Sequence, residues 1–355
     1  MKIMRIGIDL AKHVFQIHGV DAAEKVVCQR QLRRHQMAGF FHKIEPCLIG
    51  LESCASAHYW ARLLQNMGHT VKLIAPQFVK PYVKTNKNDA NDAAAICEAL
   101  SRAHMRFVPI KTVEQQDLQA VHRVRTELVH QRTAKVNQTR GLLAEYGVIV
   151  PPSLPQLRKA LPELLEDSSN GLTARFRLLL AGLQQDLRYL DERISQLDHT
   201  IQREATENPA ARKLQQLRGI GPITATALVA AIGDASVFKK GRDLAAWLGL
   251  VPRQHSSGGK ERLLGISKRG DSYLRMLLIH GARAVIKTAS DKKDRLSQWV
   301  QLLCQRRNKN IAAVALANKT ARLVWALLVR DNNYDPDYRV QTQQPTDLVG
   351  SGMTA

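Results

Sequence analysis

Apolar residues alternate or cluster over residues 3–10 and 14–20, with a break at Ala11-Lys12-His13. That pattern predicts two strands joined by a hairpin turn. A third β-like run covers Lys25–Leu32, a helical period follows around residues 35–44, and Cys47–Leu51 reads as a short buried strand. Residues 56–67 predict a helix stopped by Gly68, and Thr70–Ile74 a strand ended by Ala75-Pro76. An Ala-rich helix is expected from about Asn88 to Ala103. An antiparallel meander thus feeds strands alternating with helices, which predicts a mixed α/β sheet.

From about Val113 the pattern changes to long, polar helix. One helix is expected over about 113–147, followed by the Pro-rich stretch Val150–Pro155. Beyond it, Leu183, Leu187, Leu190, Ile194, Leu197 and Ile201 are spaced 4, 3, 4, 3, 4, an a/d heptad seam. Either an antiparallel hairpin within the chain or a dimerising coiled coil would satisfy that seam. After residue 208 short helices with Gly punctuation run to about residue 330, and the polar tail 331–355 is expected to be disordered. The predicted domains are therefore 1–105, 106–207 and 208–330, with 331–355 as tail. The fold class is α/β plus α.

Charge narrows the function. With 52 Lys+Arg against 31 Asp+Glu the formal net charge is +21, which favours a polyanionic partner. Nucleic acid leads, a membrane surface comes second, and a soluble basic enzyme third. No apolar run reaches the roughly 20 residues of a bilayer span; Ile311–Val329 is interrupted by Lys319 and Arg322. Cys28, Cys47, Cys54, Cys97 and Cys304 show no C-x-x-C spacing and fit reduced thiols. With no signal-peptide pattern, a cytoplasmic protein without a membrane partner is expected.

Four acids could hold metal. Asp9 ends the first strand, Glu52 ends the strand after Cys47, and Asp89 and Asp92 lie three apart on one helix face. Singly, Asp9 would suit a turn and Asp89 a helix N-cap. Together they offer the hard oxygen ligands that Mg2+ or Mn2+ prefers. Two such ions ~3.5–4 Å apart can stabilise the attacking and leaving oxygens of a phosphodiester displacement.

Two further segments suit phosphate. Gly219-Ile220-Gly221, between helical stretches and followed by Pro222, resembles a helix-hairpin-helix, in which backbone N–H groups and a helix N-terminus meet phosphate. A plain helix–helix turn is the alternative. Between Lys239 and Arg275 nine Lys/Arg face three acids, net +6, around the loop Ser256-Ser257-Gly258-Gly259. Lys239, Lys240, Arg253, Lys260, Arg262, Lys268 and Arg269 would bind the nucleic-acid backbone. The serines serve either as hydrogen-bond donors or, with cations easing alkoxide formation, as a nucleophile.

The segments Ile6–Asp9, Leu51-Glu52, Asn86–Ala93, Leu217–Gly221 and Trp247–Gly270 together resemble the DEDD-type transposases of bacterial insertion sequences, whose N-terminal domain is similar to the Holliday-junction resolvase RuvC. The resemblance implies an RNase H-like domain with Asp9, Glu52, Asp89 and Asp92 as a metal-binding tetrad. It also implies a helical coiled-coil segment used in dimerisation and a C-terminal domain bearing a serine nucleophile, which maps best onto Ser257 with Ser256 as alternative. DNA at element ends and target, a structured guide RNA, and a dimer or tetramer follow as implied partners. Two other functions remain open: a metal-dependent junction nuclease using water, and a non-catalytic DNA/RNA-binding protein.

Overall fold

The computed structural model describes residues 2–84, 88–330 and 334–335. The tail expected to be disordered lies outside the described residues except for Tyr334 and Asp335. The chain divides into two compact units, Met1–Asp117 with Ala230–Val237, and Leu118–Val229 with Phe238–Ala355.

The first unit is built on a six-stranded sheet ordered β3-β2-β1-β4-β5-β6. Its strands are β1 (Arg5–Leu10), β2 (Val14–Val20), β3 (Val26–Arg33), β4 (Leu48–Glu52), β5 (Thr70–Ile74) and β6 (Phe107–Val108). The first three form the expected antiparallel meander, and β4 and β5 run parallel to β1. The two-residue β6, too short to leave a periodic signal, adds an antiparallel edge. The helical stretch expected at 35–44 is only a 3-10 turn (Arg34–Gln36) and the five-residue α1 (Met37–Phe41). The poor helix former Gly39 lies inside it.

Strand alternation sorts side chains onto two faces. Ile6, Ile8, Phe15, Ile17, Ile49 and Leu51 share a core with Trp60, Ala61 and Leu64 of α2 (Ala57–Asn66). On the other face, past the short α3 (Pro76–Val79), α4 (Asp89–Leu100) lies on Gly7 and Gly50. A Cβ on Gly7 would stand 2.2 Å from the Ala93 carbonyl oxygen, and one on Gly50 2.5 Å from Leu100 Cδ1. Helix α4 approaches the sheet this closely because both positions lack a side chain.

The second unit contains most of α5 (Val113–Ala144), then α6 (Leu154–Glu166) and α7 (Ala174–Glu207). Lys135–Asp186 and Arg132–Asp191, both 3.0 Å apart, and Arg125–Asp198 order α5 and α7 antiparallel. In the heptad seam Leu187, Leu190, Ile194 and Ile201 are buried, and Leu187 shares a core with Val136 of α5. The seam is thus at least partly used within the chain. Helix α6 was not expected from the sequence because its prolines read as connection. Ser153 caps it, Pro155 falls in the tolerant first turn, and Leu157 and Leu161 are buried.

Next come α8 (Pro209–Leu214), α9 (Pro222–Ile232), α10 (Gly241–Trp247), α11 (Ser272–Lys287), α12 (Arg295–Arg306) and α13 (Lys309–Val329). A two-stranded hairpin, β7 (Pro252–Gln254) with β8 (Leu263–Ile266), interrupts the helices. Helix α13 has the length and apolarity of a membrane span. Ala312, Ala313, Leu316, Ala317, Ala321 and Val324 are nevertheless buried inside the unit, as in a core helix.

Candidate active site

The acids meet at the end of the sheet where β1 and β4 finish. On β1 the pattern Gly7-Ile8-Asp9 puts an acid two residues beyond the glycine beneath α4, and on β4 Gly50-Leu51-Glu52 repeats it. Gly7 pairs with Gly50 in the parallel register, so Asp9 and Glu52 project from adjacent strands on the α4 face. Asn88 caps α4, accepting from the Asn91 N–H at 2.8 Å. Asp89 is therefore the first residue of the helix, and Asp92 follows one turn on. One carboxylate oxygen each from Asp9, Asp89 and Asp92 lies within 4.8 Å of the others. Glu52 stands outside that group. Asp9 and Asp92 are half-buried and Asp89 is exposed.

Three converging oxygens, part buried and open on one side, match the donor chemistry of a hard divalent cation that keeps waters or phosphate oxygens as its other ligands. The residues present fit the group. Cys54, read from the sequence only as one of five reduced thiols, lies beside this cluster. Cys54 is exposed and lies 3.9 Å from the Leu10 carbonyl oxygen. Burial of its sulfur, then the charges of Glu52 and Asp9, push its pKa up and hold the thiol protonated. The Gly-x-acid pattern recurs on both strands, with the glycine beneath α4 and the acid at the strand end.

The candidate serines belong to the second unit. Beyond β7 the ladder continues, with the His255 N–H donating to the Arg262 carbonyl at 3.0 Å and a bridge between Ser257 and Lys260. Gly258 and Gly259, at φ +56° and +75°, form the two-residue turn. Ser256 is engaged: its Oγ accepts from Gln254 Nε2 at 2.9 Å and from the Arg262 N–H at 3.3 Å. Ser257 Oγ makes no hydrogen bond among the described residues, and the residue is exposed at the corner of the turn. Arg253, Lys260, Arg262, Lys268 and Arg269 are all exposed.

Close backbone packing supports this hairpin. A Cβ on Gly249 would fall 2.1 Å from the Arg269 carbonyl oxygen, and one on Gly270 1.9 Å from that of Trp247. The Ser267 N–H donates to Val251 O at 2.8 Å, and Lys268 sits at φ +54°. Lys239 and Lys240 are exposed just before α10. In the Gly-rich turn the two glycines differ: Gly219, at φ +86°, packs against Gly281 of α11, whereas a Cβ on Gly221 would meet open space. Helix α9 starts at Pro222, as expected.

Comparison with known proteins covers both units. Residues 211–297 match the family described as Transposase IS116/IS110/IS902, and residues 6–148 match a DEDD-type transposase family of the IS110 group. The chain is 54% identical over 337 residues to a Pseudomonas aeruginosa protein named "Probable family 20 transposase", covering 95% of this chain and 100% of that one. It is 46% identical over 335 residues to the transposase for insertion sequence element IS1111A of Coxiella burnetii, covering 94% and 92%. With the transposase for insertion sequence element IS1328 of Yersinia enterocolitica it shares 41% over 324 residues, covering 91% and 96%.

Proposed function

The chain belongs to the IS116/IS110/IS902 family of transposases, DNA strand-transfer enzymes whose DEDD domain uses divalent metal, and from that premise we propose a serine recombinase mechanism assisted by the acidic cluster. Asp9, Asp89 and Asp92, with Glu52 at the neighbouring strand end, would hold the ion, Mg2+ or Mn2+. Bound there, the ion would supply positive charge to the phosphate oxygens. Ser257 is the nucleophile. Its Oγ bonds to phosphorus as the bond to the 3′ oxygen breaks, giving a 5′-phosphoserine and a free 3′-hydroxyl. The serine proton leaves to solvent, and the departing 3′ oxygen takes one up.

The observation that favours Ser257 over Ser256 is the engagement of Ser256 Oγ by Gln254 and Arg262, while Ser257 Oγ is uncommitted among the described residues. The exposed cations Arg253, Lys260, Arg262, Lys268 and Arg269, with Lys239 and Lys240, hold the DNA backbone around that hairpin. Gly221 and the N-terminus of α9 supply a further phosphate contact, with Gly219 shaping the turn. Two copies or four act together, joined through the α5–α7 region, and the acids of one copy complete the serine site of another. A structured guide RNA selects element ends and target by base pairing. The large excess of positive charge suits two nucleic acids whose backbones, not bases, the protein contacts.

The test is a denaturation-resistant protein–DNA adduct. It should form with wild-type protein, element-end DNA, co-expressed element RNA and Mg2+, persist in Ser256→Ala, and vanish in Ser257→Ala. An adduct that survives in Ser257→Ala rejects the assignment. Cleavage by wild-type protein that leaves no covalent adduct favours attack by water at the acidic cluster instead.

A further inference from the structure

The register of the meander places an uncharged row beside the acids. Gln16 on β2 lies directly across from Asp9, and Gln31 on β3 directly across from Gln16. Side chains opposite each other in antiparallel strands share a face with Cβ atoms roughly 4.5–5.5 Å apart. Gln31, Gln16 and Asp9 therefore form a continuous line on the face carrying α4, with Glu52 on the strand beyond Asp9. Helix α4 covers this face at Gly7, whereas on β3 the same-face residues Gln29, Gln31 and Arg33 are exposed. Gln16 is half-buried and Gln31 exposed, and neither side-chain amide makes a hydrogen bond among the described residues. Arg33, beside Gln31 on that face, and Lys12 and His13, in the turn after β1, add donors at the sheet end where Asp9 lies.

We propose that this row is a binding track for the DNA strand processed at the acidic cluster, with Gln16 as its innermost contact. The inference rests on the reading that the cluster acts on DNA. The Gln16 amide N–H donates to a phosphate oxygen next to the scissile one, Gln31 to the following phosphate, and Arg33 pairs with the next. The residue types suit the positions. A Lys or Arg at position 16 would pair with Asp9 and compete with a metal ion, whereas an amide donates without adding charge. Farther from the acids that constraint lapses, and at Arg33 a cation appears.

The experiment uses the full-length protein with co-expressed element RNA, 5′-labelled duplex DNA carrying the element's end, and chelator to prevent cleavage. Benzoylphenylalanine is placed at Gln31, or at Arg30, whose side chain points to the opposite face of β3. Irradiation should link DNA to position 31 and not to position 30. In parallel, Gln16→Ala should raise the KM for DNA about tenfold or more, the loss of one hydrogen bond to a charged oxygen, with kcat nearly unchanged. Gln16→Glu should bind DNA more weakly than Gln16→Ala, and Gln16→Asn should recover part of the loss, which a merely structural role would not produce. If the protein shifts the DNA yet gives no adduct at 31, or links equally at 30, the track is wrong while DNA binding stands. If wild-type protein does not bind the DNA at all, the underlying reading and the track both fall. An unchanged KM in Gln16→Ala and Gln16→Glu also overturns the proposal.

Discussion

Gly7 of β1 lies directly beneath Ala93 of α4, so close that a Cβ there would stand 2.2 Å from the Ala93 carbonyl oxygen and 2.4 Å from the Cys97 nitrogen. That contact is backbone on backbone. It fixes the height of α4 above the sheet, and with it the approach of Asp89 and Asp92 to Asp9. Gly7→Ala must lift the helix. We expect about 3 kcal/mol of destabilisation, at the upper end of over-packing costs, together with loss of metal binding. At Gly50 the added Cβ meets side chain rather than backbone, 2.5 Å from Leu100 Cδ1 and 2.6 Å from its Cγ, so the clash falls on a single leucine that can shift without moving the helix backbone. Gly50→Ala should cost about 1 kcal/mol and leave the acids in place. Urea midpoints and Mn2+ titration of the two variants check the contrast; equal costs would show that the helix height is not set at Gly7.

The acidic cluster makes a prediction whose two halves run in opposite directions. Three carboxylates within 4.8 Å repel one another when no cation is bound. Asp92→Asn removes one charge while keeping the shape. Its urea midpoint in chelator should be no lower than that of the wild type, while DNA strand transfer with Mg2+ falls by roughly 100-fold or more. A variant that loses stability and activity together would mark Asp92 as structural. In the wild type, chelator should stop strand transfer and added Mg2+ or Mn2+ restore it.

These contacts mark how far the sequence could be read. The four acids were legible because strand ends and a helix start are themselves visible in the period of apolar residues, and β5 appears at Thr70–Ile74 as expected. That Asp9, Asp89 and Asp92 approach within 4.8 Å was not legible, because convergence depends on how closely α4 packs, and a glycine in a strand does not announce what lies on it. Asn88, not Asp89, caps the helix, a choice between neighbouring cap formers that periodicity cannot make. The resemblance maps the serine best onto Ser257 with Ser256 as alternative; what the letters cannot show is that the Ser256 hydroxyl is hydrogen-bonded while Ser257 sits at the turn's bridge. Helix α6 hid behind its prolines, although Pro155 sits in a first turn that tolerates it. The heptad seam named the right face of α7 without naming its partner.

His122 of α5 supplies a pH dependence that has nothing to do with the chemistry. It is buried in the second unit between Tyr273 of α11 and Thr226 of α9. Thr226 Oγ donates to the Pro222 carbonyl at 2.8 Å and so accepts from His122 Nε2–H, leaving Nδ1 to accept from the Tyr273 hydroxyl at 3.1 Å. A second imidazole proton on Nδ1 would force the Tyr273 hydroxyl to give up its donation to the ring and turn its own proton elsewhere. Burial, then the charge of Arg125, lowers the His122 pKa to about 4. The folded state therefore binds this proton less readily than the unfolded chain, whose histidine titrates near 6.5. Its contribution is complete above about pH 6.5 and is lost as pH falls towards 4, on the order of 3 kcal/mol in full. Unfolding midpoints measured between pH 7 and 5 should fall in the wild type and fall less in His122→Gln. Parallel curves for the two proteins would refute the assignment.

The Gly-rich turn separates two roles that a pair of neighbouring glycines would otherwise blur. Gly219 and Gly281 meet backbone to backbone: a Cβ on Gly219 would stand 2.8 Å from the Gly281 carbonyl oxygen, and one on Gly281 2.0 Å from that of Gly219. Gly219 also holds φ +86°, which an L side chain rarely adopts. Gly219→Ala should therefore destabilise the second unit by about 2 kcal/mol or more, whatever the turn binds. Gly221 faces open space just before Pro222 opens α9. Its substitution by Ala should leave the unfolding midpoint within about 0.5 kcal/mol of the wild type. If phosphate approaches the N-terminus of α9, however, the added methyl group stands in its path, and affinity for DNA should drop about fivefold or more with the fold intact. Binding isotherms at fixed salt decide the matter. A Gly221→Ala protein that folds normally and binds DNA as tightly as the wild type would leave the turn as a packing joint between α9 and α11.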